Sequence, residues 1–158
     1  MKPRQPEQHP VAPLKIYCEV GALSAEIRAM QRQGLVELMN FPYDPDLRTK
    51  KIPSLAVPSE AQIRDLNLRI CELPGTIADY SGSNLLAGIL DIIGTQHRRD
   101  ALHVDSAVKS GCSAFMTRDR DILDHRAALE SLTGIRFFHP DADVEALRGF
   151  VATAGPPA

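Results

Sequence analysis

Arg99-Asp100-Ala101-Leu102-His103-Val104-Asp105-Ser106-Ala107-Val108-Lys109-Ser110-Gly111-Cys112-Ser113-Ala114-Phe115-Met116-Thr117-Arg118-Asp119-Arg120-Asp121-Ile122-Leu123 is the stretch that decides the fold. Residues 99–110 read as a helix, and Gly111 is the residue type that most readily ends one. Cys112 to Met116 is a short apolar run with the β-branched Thr117 behind it, so a buried strand is predicted there, and Asp119 stands just beyond its end. Residues 121–132 suggest a helical turn or two and a short helix. Gly134 breaks it, residues 135–138 form another strand, residues 141–150 a final amphipathic helix, and residues 152–158 fray.

The same alternation extends toward the N-terminus. Leu14 to Cys18 alternates and is β-prone, and Glu19 to Ala22 is a turn. Ser24 is placed to cap a helix carrying Ile27 and Met30 that stops at Gly34, and Leu35 to Phe41 is a second strand. Phe41 to Lys51 is polar and proline-marked, a surface loop. Ser59 can cap a helix through Ile63, Leu66, Ile70 and Leu73, and Ser81 or Ser83 opens another through Leu86, Ile89 and Ile93 that ends at Gly94. Helices alternating with short apolar strands predict an α/β fold, a parallel sheet covered on both faces. In such sheets function sits at the carboxyl ends of the strands.

The bulk properties agree with one domain. At 158 residues, 44% hydrophobic and 24% charged, the chain has the balance of a globular protein with one core. We expect the domain over residues 14–150, a disordered proline-rich arm over 1–13 and a flexible tail over 151–158. No run approaches the roughly 20 apolar residues that cross a bilayer, so no membrane partner and a cytoplasmic location are expected. Cys18, Cys71 and Cys112 lie far apart, without zinc spacing, and read as small buried apolar residues. A formal net charge of −2 gives no global basic field, so a nucleic-acid partner would be held by a local patch or by metal ions.

Three acids fall at the carboxyl ends: Glu19 after the first strand, Asp100 opening a helix, and Asp119 after Phe115-Met116-Thr117. A helix rising ~1.5 Å per residue and a strand returning at ~3.3 Å per residue can bring Asp100 and Asp119 to one edge. Convergent carboxylates repel one another in low dielectric, so protons or a cation must relieve them. Hard oxygen donors without Cys or a well-placed His favour Mg²⁺ or Mn²⁺ over zinc. Such an ion acidifies bound water and steadies charge on a phosphoryl oxygen, which makes phosphodiester hydrolysis the natural chemistry. Singly, Asp100 suits any helix N-terminus and Asp119 any helix cap. Convergence is what points to function.

The quoted stretch resembles the C-terminal half of a PIN domain, with its "Asp-Ala-Leu-His-x-x-x-Ala" helix, "Gly-Cys-x-x-Phe" turn and strand, and "Thr-x-Asp-x-Asp". The likeness is close over residues 99–123 and weaker from Gly134 to Pro140. It implies a three-layer α/β/α sandwich with a central, mainly parallel sheet, and an Mg²⁺- or Mn²⁺-dependent endoribonuclease acting on single-stranded RNA. Toxins of bacterial toxin–antitoxin pairs are of this kind, so an antitoxin protein and a homodimer are implied partners. Apolar helical faces such as that of Leu85, Leu86 and Ile89 could supply the dimer contact. Asp100 and Asp119 match the family's acids, Asp121 follows in the same motif, and Lys15 to Glu19 resembles its first strand, which ends in Asp where this chain has Glu19. The mid-chain acid, a Glu on a helix in the family, has Glu60 and Asp65 as candidates, with Asp79 and Asp91 behind them.

The neighbouring residues carry supporting expectations. Thr117 would hydrogen-bond a metal-bound water or merely finish the strand. His103, one turn along from Asp100, would pack or give a hydrogen bond. Asp105 lies roughly 140° round the helix from Asp100 and would be a surface or interhelix partner. Arg98, Arg99, Arg118 and Arg120 bracket the aspartates and suit either phosphate contact or ion pairing. The alternative to an enzyme is a catalytically degenerate PIN-like binding or scaffold module; a third option is a nuclease for structured DNA.

Overall fold

The computed structural model describes residues 11–43, 52, 54–60 and 81–154, in which five strands lie between helices. β1 (Leu14–Cys18) passes through a 3₁₀ turn at Val20–Ala22 into α1 (Ala25–Arg32), β2 (Val36–Asn40) and a two-residue β3 (Ser54–Leu55). α2 (Leu86–Ile93) and α3 (Arg98–Lys109) precede β4 (Ala114–Met116). α4 (Arg120–Leu123) and α5 (Arg126–Thr133) precede β5 (Arg136–Phe138), and α6 (Val144–Ala154) follows. All the strand pairs are parallel, in the order β3-β2-β1-β4-β5. The predicted three-layer α/β/α sandwich is thus what the chain forms.

Strand alternation divides the core into two layers. Tyr17, Phe115 and Phe137 point to the face covered by α2, α3 and α5, where they meet Ile89, Val104 and Leu129. Tyr17 stacks on Phe115 at 5.0 Å between centroids, and Phe115 lies 5.3 Å from Phe137. Each such pair adds about 0.5–1.5 kcal/mol beyond the area it buries. Ile16, Cys18, Ala114, Met116 and Phe138 point the other way, to Ile27 of α1 and Leu147 of α6. Cys18 and Cys112 are buried free thiols, and burial pushes both up to about 12.

The local signals account for the element ends. Ser24 caps α1 by accepting from the Ile27 N–H at 3.3 Å, and Gly134, at φ 74, ends α5 in the left-handed conformation that suits glycine. Two expectations are corrected. α6 runs past Phe150 to Ala154 because Val151 is an apolar anchor, 8% exposed against the sheet, so the tail does not begin at residue 151. Leu86 and Ile89 are 5% and 0% exposed inside the chain's own core, so that face is not available to a second copy. β3 was not foreseen, since a pair of residues is too short to show alternation. The expectations for residues 1–10, for the loop at 44–51 and for the helix after Ser59 fall largely or wholly outside the described residues, as do Cys71 and residues 155–158. Among the described residues, no helix is long and apolar enough to cross a membrane.

Among the described residues, the sheet order also locates a place where the winding reverses. From β1 the chain builds outward through β2 and β3, then crosses to the opposite side of β1 to lay down β4 and β5. The loops leaving β1 and β4 therefore part in opposite directions. A crevice forms at such a switch point, outside the carboxyl ends of the strands.

Candidate functional site

Glu19 is the first residue beyond β1, and its N–H donates to the Met116 carbonyl at 3.1 Å, so the pairing of β1 with β4 carries straight into the site. Thr117 is the first residue beyond β4 and is wholly buried. Its hydroxyl donates to Glu19 Oε2 at 2.5 Å, and Thr117 Oγ1 itself accepts from the Asp119 N–H at 2.9 Å. Asp119 caps α4, its Oδ1 accepting from the Asp121 N–H at 2.8 Å. Asp100 lies in the first turn of α3, where the helix dipole favours a negative charge. Glu19, Asp100 and Asp119 line one open cleft of about 230 Å³, together with Asn40, Tyr43 and His103.

The electrostatics record how the carboxylates meet. Burial pushes Glu19 up to about 7; Asp100 and Asp119 add to this by repulsion, against the opposing hydrogen bond from Thr117. Asp100 is also raised, chiefly by burial and then by Asp119, with His97 pulling the other way. Two carboxyl groups raised first by burial, with the Asp119 carboxylate adding to both, are a site short of positive charge.

The donor set fits a hard divalent cation, since carboxylate oxygens predominate and, among the described residues, no cysteine lines the cleft. Among the described residues, no group of three His, Cys, Asp or Glu side chains forms a ready cage. The acids face a shared space rather than close on one point. A Mg²⁺ ion requires no closed cage, because it keeps several waters and binds through one or two carboxylates. Glu19, Asp100 and Asp119 are the residues that would hold it.

The other expected residues are distributed as follows. Asp121 lies outside the cleft lining, its carboxylate 3.5 Å from His97 Nδ1, which is also 3.7 Å from Asp100 Oδ2. Arg118 lies outside the cleft lining: its Nε donates to the carbonyl of Gly21, which does line it, at 2.7 Å, and its guanidinium pairs with Asp141, which ties down the turn after β1. Arg98 pairs with Glu60, which engages that candidate second acid away from the lining. Asp91 is exposed on α2, while Asp65 and Asp79 fall outside the described residues. Of the bracketing arginines, Arg99 lines the cleft and lowers Asp100.

Asp105 is not a surface residue, and its partners are serines of connecting segments rather than of a second helix. It is 0% exposed and accepts from the Ser59 hydroxyl at 2.6 Å, the Ser83 N–H at 2.9 Å and the Ser83 hydroxyl. Sequence reasoning missed Tyr17, Asn40, Tyr43 and His97. Asn40 donates to the Cys18 carbonyl at 2.9 Å and ends β2 at the cleft, so its place at a strand end was the available signal.

The fold and site define a doubly wound α/β/α protein with an acidic cleft at its switch point. No family model matches the chain, and neither a curated protein nor a solved structure matches it.

Proposed function

We propose that this protein is a PIN-like endoribonuclease that hydrolyses RNA phosphodiester bonds with Mg²⁺ or Mn²⁺. The observation that carries the reading is the facing of Glu19, Asp100 and Asp119 across the switch-point cleft, with Glu19 pushed up to about 7. The bound ion would acidify a water and offset charge building on the phosphoryl oxygens. Glu19, Asp100 and Asp119 would hold it, and Thr117 holds the Glu19 carboxylate in place through its hydroxyl. Arg99 adds a cation beside Asp100, suited to a phosphate. Glu19 in place of a family aspartate puts its carboxylate one methylene further into the cleft.

The toxin role, an antitoxin partner, a homodimer and a cytoplasmic location belong to this reading as its consequences. The test is cleavage of a single-stranded RNA alongside Mn²⁺ titration of the melting temperature. Mn²⁺ raises the Tm of the wild type, and Asp100→Asn or Asp119→Asn lowers cleavage on the order of 10²-fold or more, about 2.7 kcal/mol of transition-state stabilisation. RNA binding without cleavage under any divalent ion would favour the binding-module alternative, and an unchanged Tm with Mn²⁺ counts against the metal itself.

A further inference from the structure

His103 lines the cleft from α3, and its ring is held on two sides. Tyr17 meets it edge-on at 5.7 Å between centroids and Tyr43 at 4.9 Å. Its Nδ1 lies 2.6 Å from Tyr17 Oη, and the same phenol oxygen accepts the Phe41 N–H at 3.1 Å. Tyr17 is wholly buried, and among the described residues its proton has no acceptor other than Nδ1. A buried hydroxyl proton left without an acceptor costs about 1–3 kcal/mol, so the phenol donates and Nδ1 accepts. Burial lowers His103 to about 4, which keeps the ring neutral. A neutral imidazole accepting at Nδ1 carries its proton on Nε2. Among the described residues no acceptor takes that Nε2–H.

We propose that His103 is a substrate-binding residue that donates its Nε2–H to a phosphate oxygen of RNA in the cleft, in a tautomer set by the Phe41–Tyr17–His103 hydrogen-bond chain. The proposal rests on the ribonuclease reading. With a cation engaging the three carboxylates, a phosphate oxygen is the acceptor that remains for a donor in this wall. A neutral donor also holds its proton through the whole physiological range, unlike an imidazolium.

The experiment is ¹⁵N-resolved NMR of the His103 ring in the full chain at pH 7, before and after adding a short single-stranded oligoribonucleotide with Ca²⁺. The free protein should show an unprotonated Nδ1 and a protonated Nε2, and the RNA should shift the Nε2–H. In parallel, His103→Asn, which keeps an acceptor toward Tyr17 but removes the Nε2 donor, should weaken RNA binding about tenfold, and His103→Gln should recover most of it. The Tm gained from Mn²⁺ should be equal in all three proteins. A protonated Nδ1 overturns the proposal. Undiminished RNA binding by His103→Asn, beside a wild type that cleaves RNA, overturns the donor role and leaves the ribonuclease reading standing. A wild type that neither binds nor cleaves RNA defeats that reading, and the phosphate acceptor with it, even where the tautomer is as stated.

Discussion

Asp100 and Asp105 stand on the same helix, α3, in opposite surroundings. Asp105 is fully buried and receives three donors from Ser59 and Ser83, drawn from two distant parts of the chain. Asp100 is half-buried, and the groups that shift it most are its own burial and another carboxylate, Asp119. A buried charge that the protein satisfies by itself holds the structure together, whereas carboxylates left facing one another await something from outside. Spacing along a helix, not composition, separates these roles.

The widest break in that comparison comes from removing the satisfied charge. Asp105→Ala leaves the Ser83 N–H and two hydroxyls without their acceptor and should destabilise the fold by about 3–4 kcal/mol in urea denaturation. The folded fraction should still gain Tm from Mn²⁺ as the wild type does. Asp100→Asn should act in the opposite sense, raising the Tm of the metal-free protein while removing its response to Mn²⁺.

A smaller effect comes from pH. In the folded state Glu19 sits at about 7 against an ordinary 4.5, so between these values the folded protein holds a proton that the unfolded chain has released. The resulting penalty is absent below pH 4.5, accrues as pH rises and is complete above about 7. Metal-free protein should therefore lose on the order of 3 kcal/mol across that window, by chemical denaturation at stepped pH. Glu19→Gln should flatten the slope, and an unchanged slope in that variant would place the effect elsewhere.

The smallest change sharpens the same point. Thr117→Val keeps the shape but removes the hydroxyl that donates to Glu19 and accepts from the Asp119 N–H, at about 1 kcal/mol of stability. Loss of a bond to the charged form should push Glu19 further up, read as a displacement of its carboxyl titration to higher pH by ¹³C NMR. A titration that stays in place would mean the threonine only finishes the strand.

Much of this molecule was legible in sequence because its signals are local. Leu14 to Cys18 alternates with the pleat, Ser24 caps the helix it precedes, and Gly134 ends α5 with a positive φ. The identity of Glu19, Asp100 and Asp119 was legible for the same reason, since each stands where an element begins or ends. Arg118 was open between phosphate contact and ion pairing because its partners, Gly21 and Asp141, are remote in sequence on either side of it. Asp105 was open between two roles because the serines that neutralise it reach α3 only through the fold.

The sequence by itself thus determined the alternation of helices and strands and the acids at their ends, because hydrophobic period and end chemistry act over a few residues. Only the tertiary structure decided that β4 lies beside β1. That pairing carries Thr117 to Glu19, opens the cleft at the reversal of winding, and sorts two aspartates of one helix into a satisfied one and an unsatisfied one. Strand order and charge compensation depend on contacts between residues far apart in the chain, and local physics does not encode them.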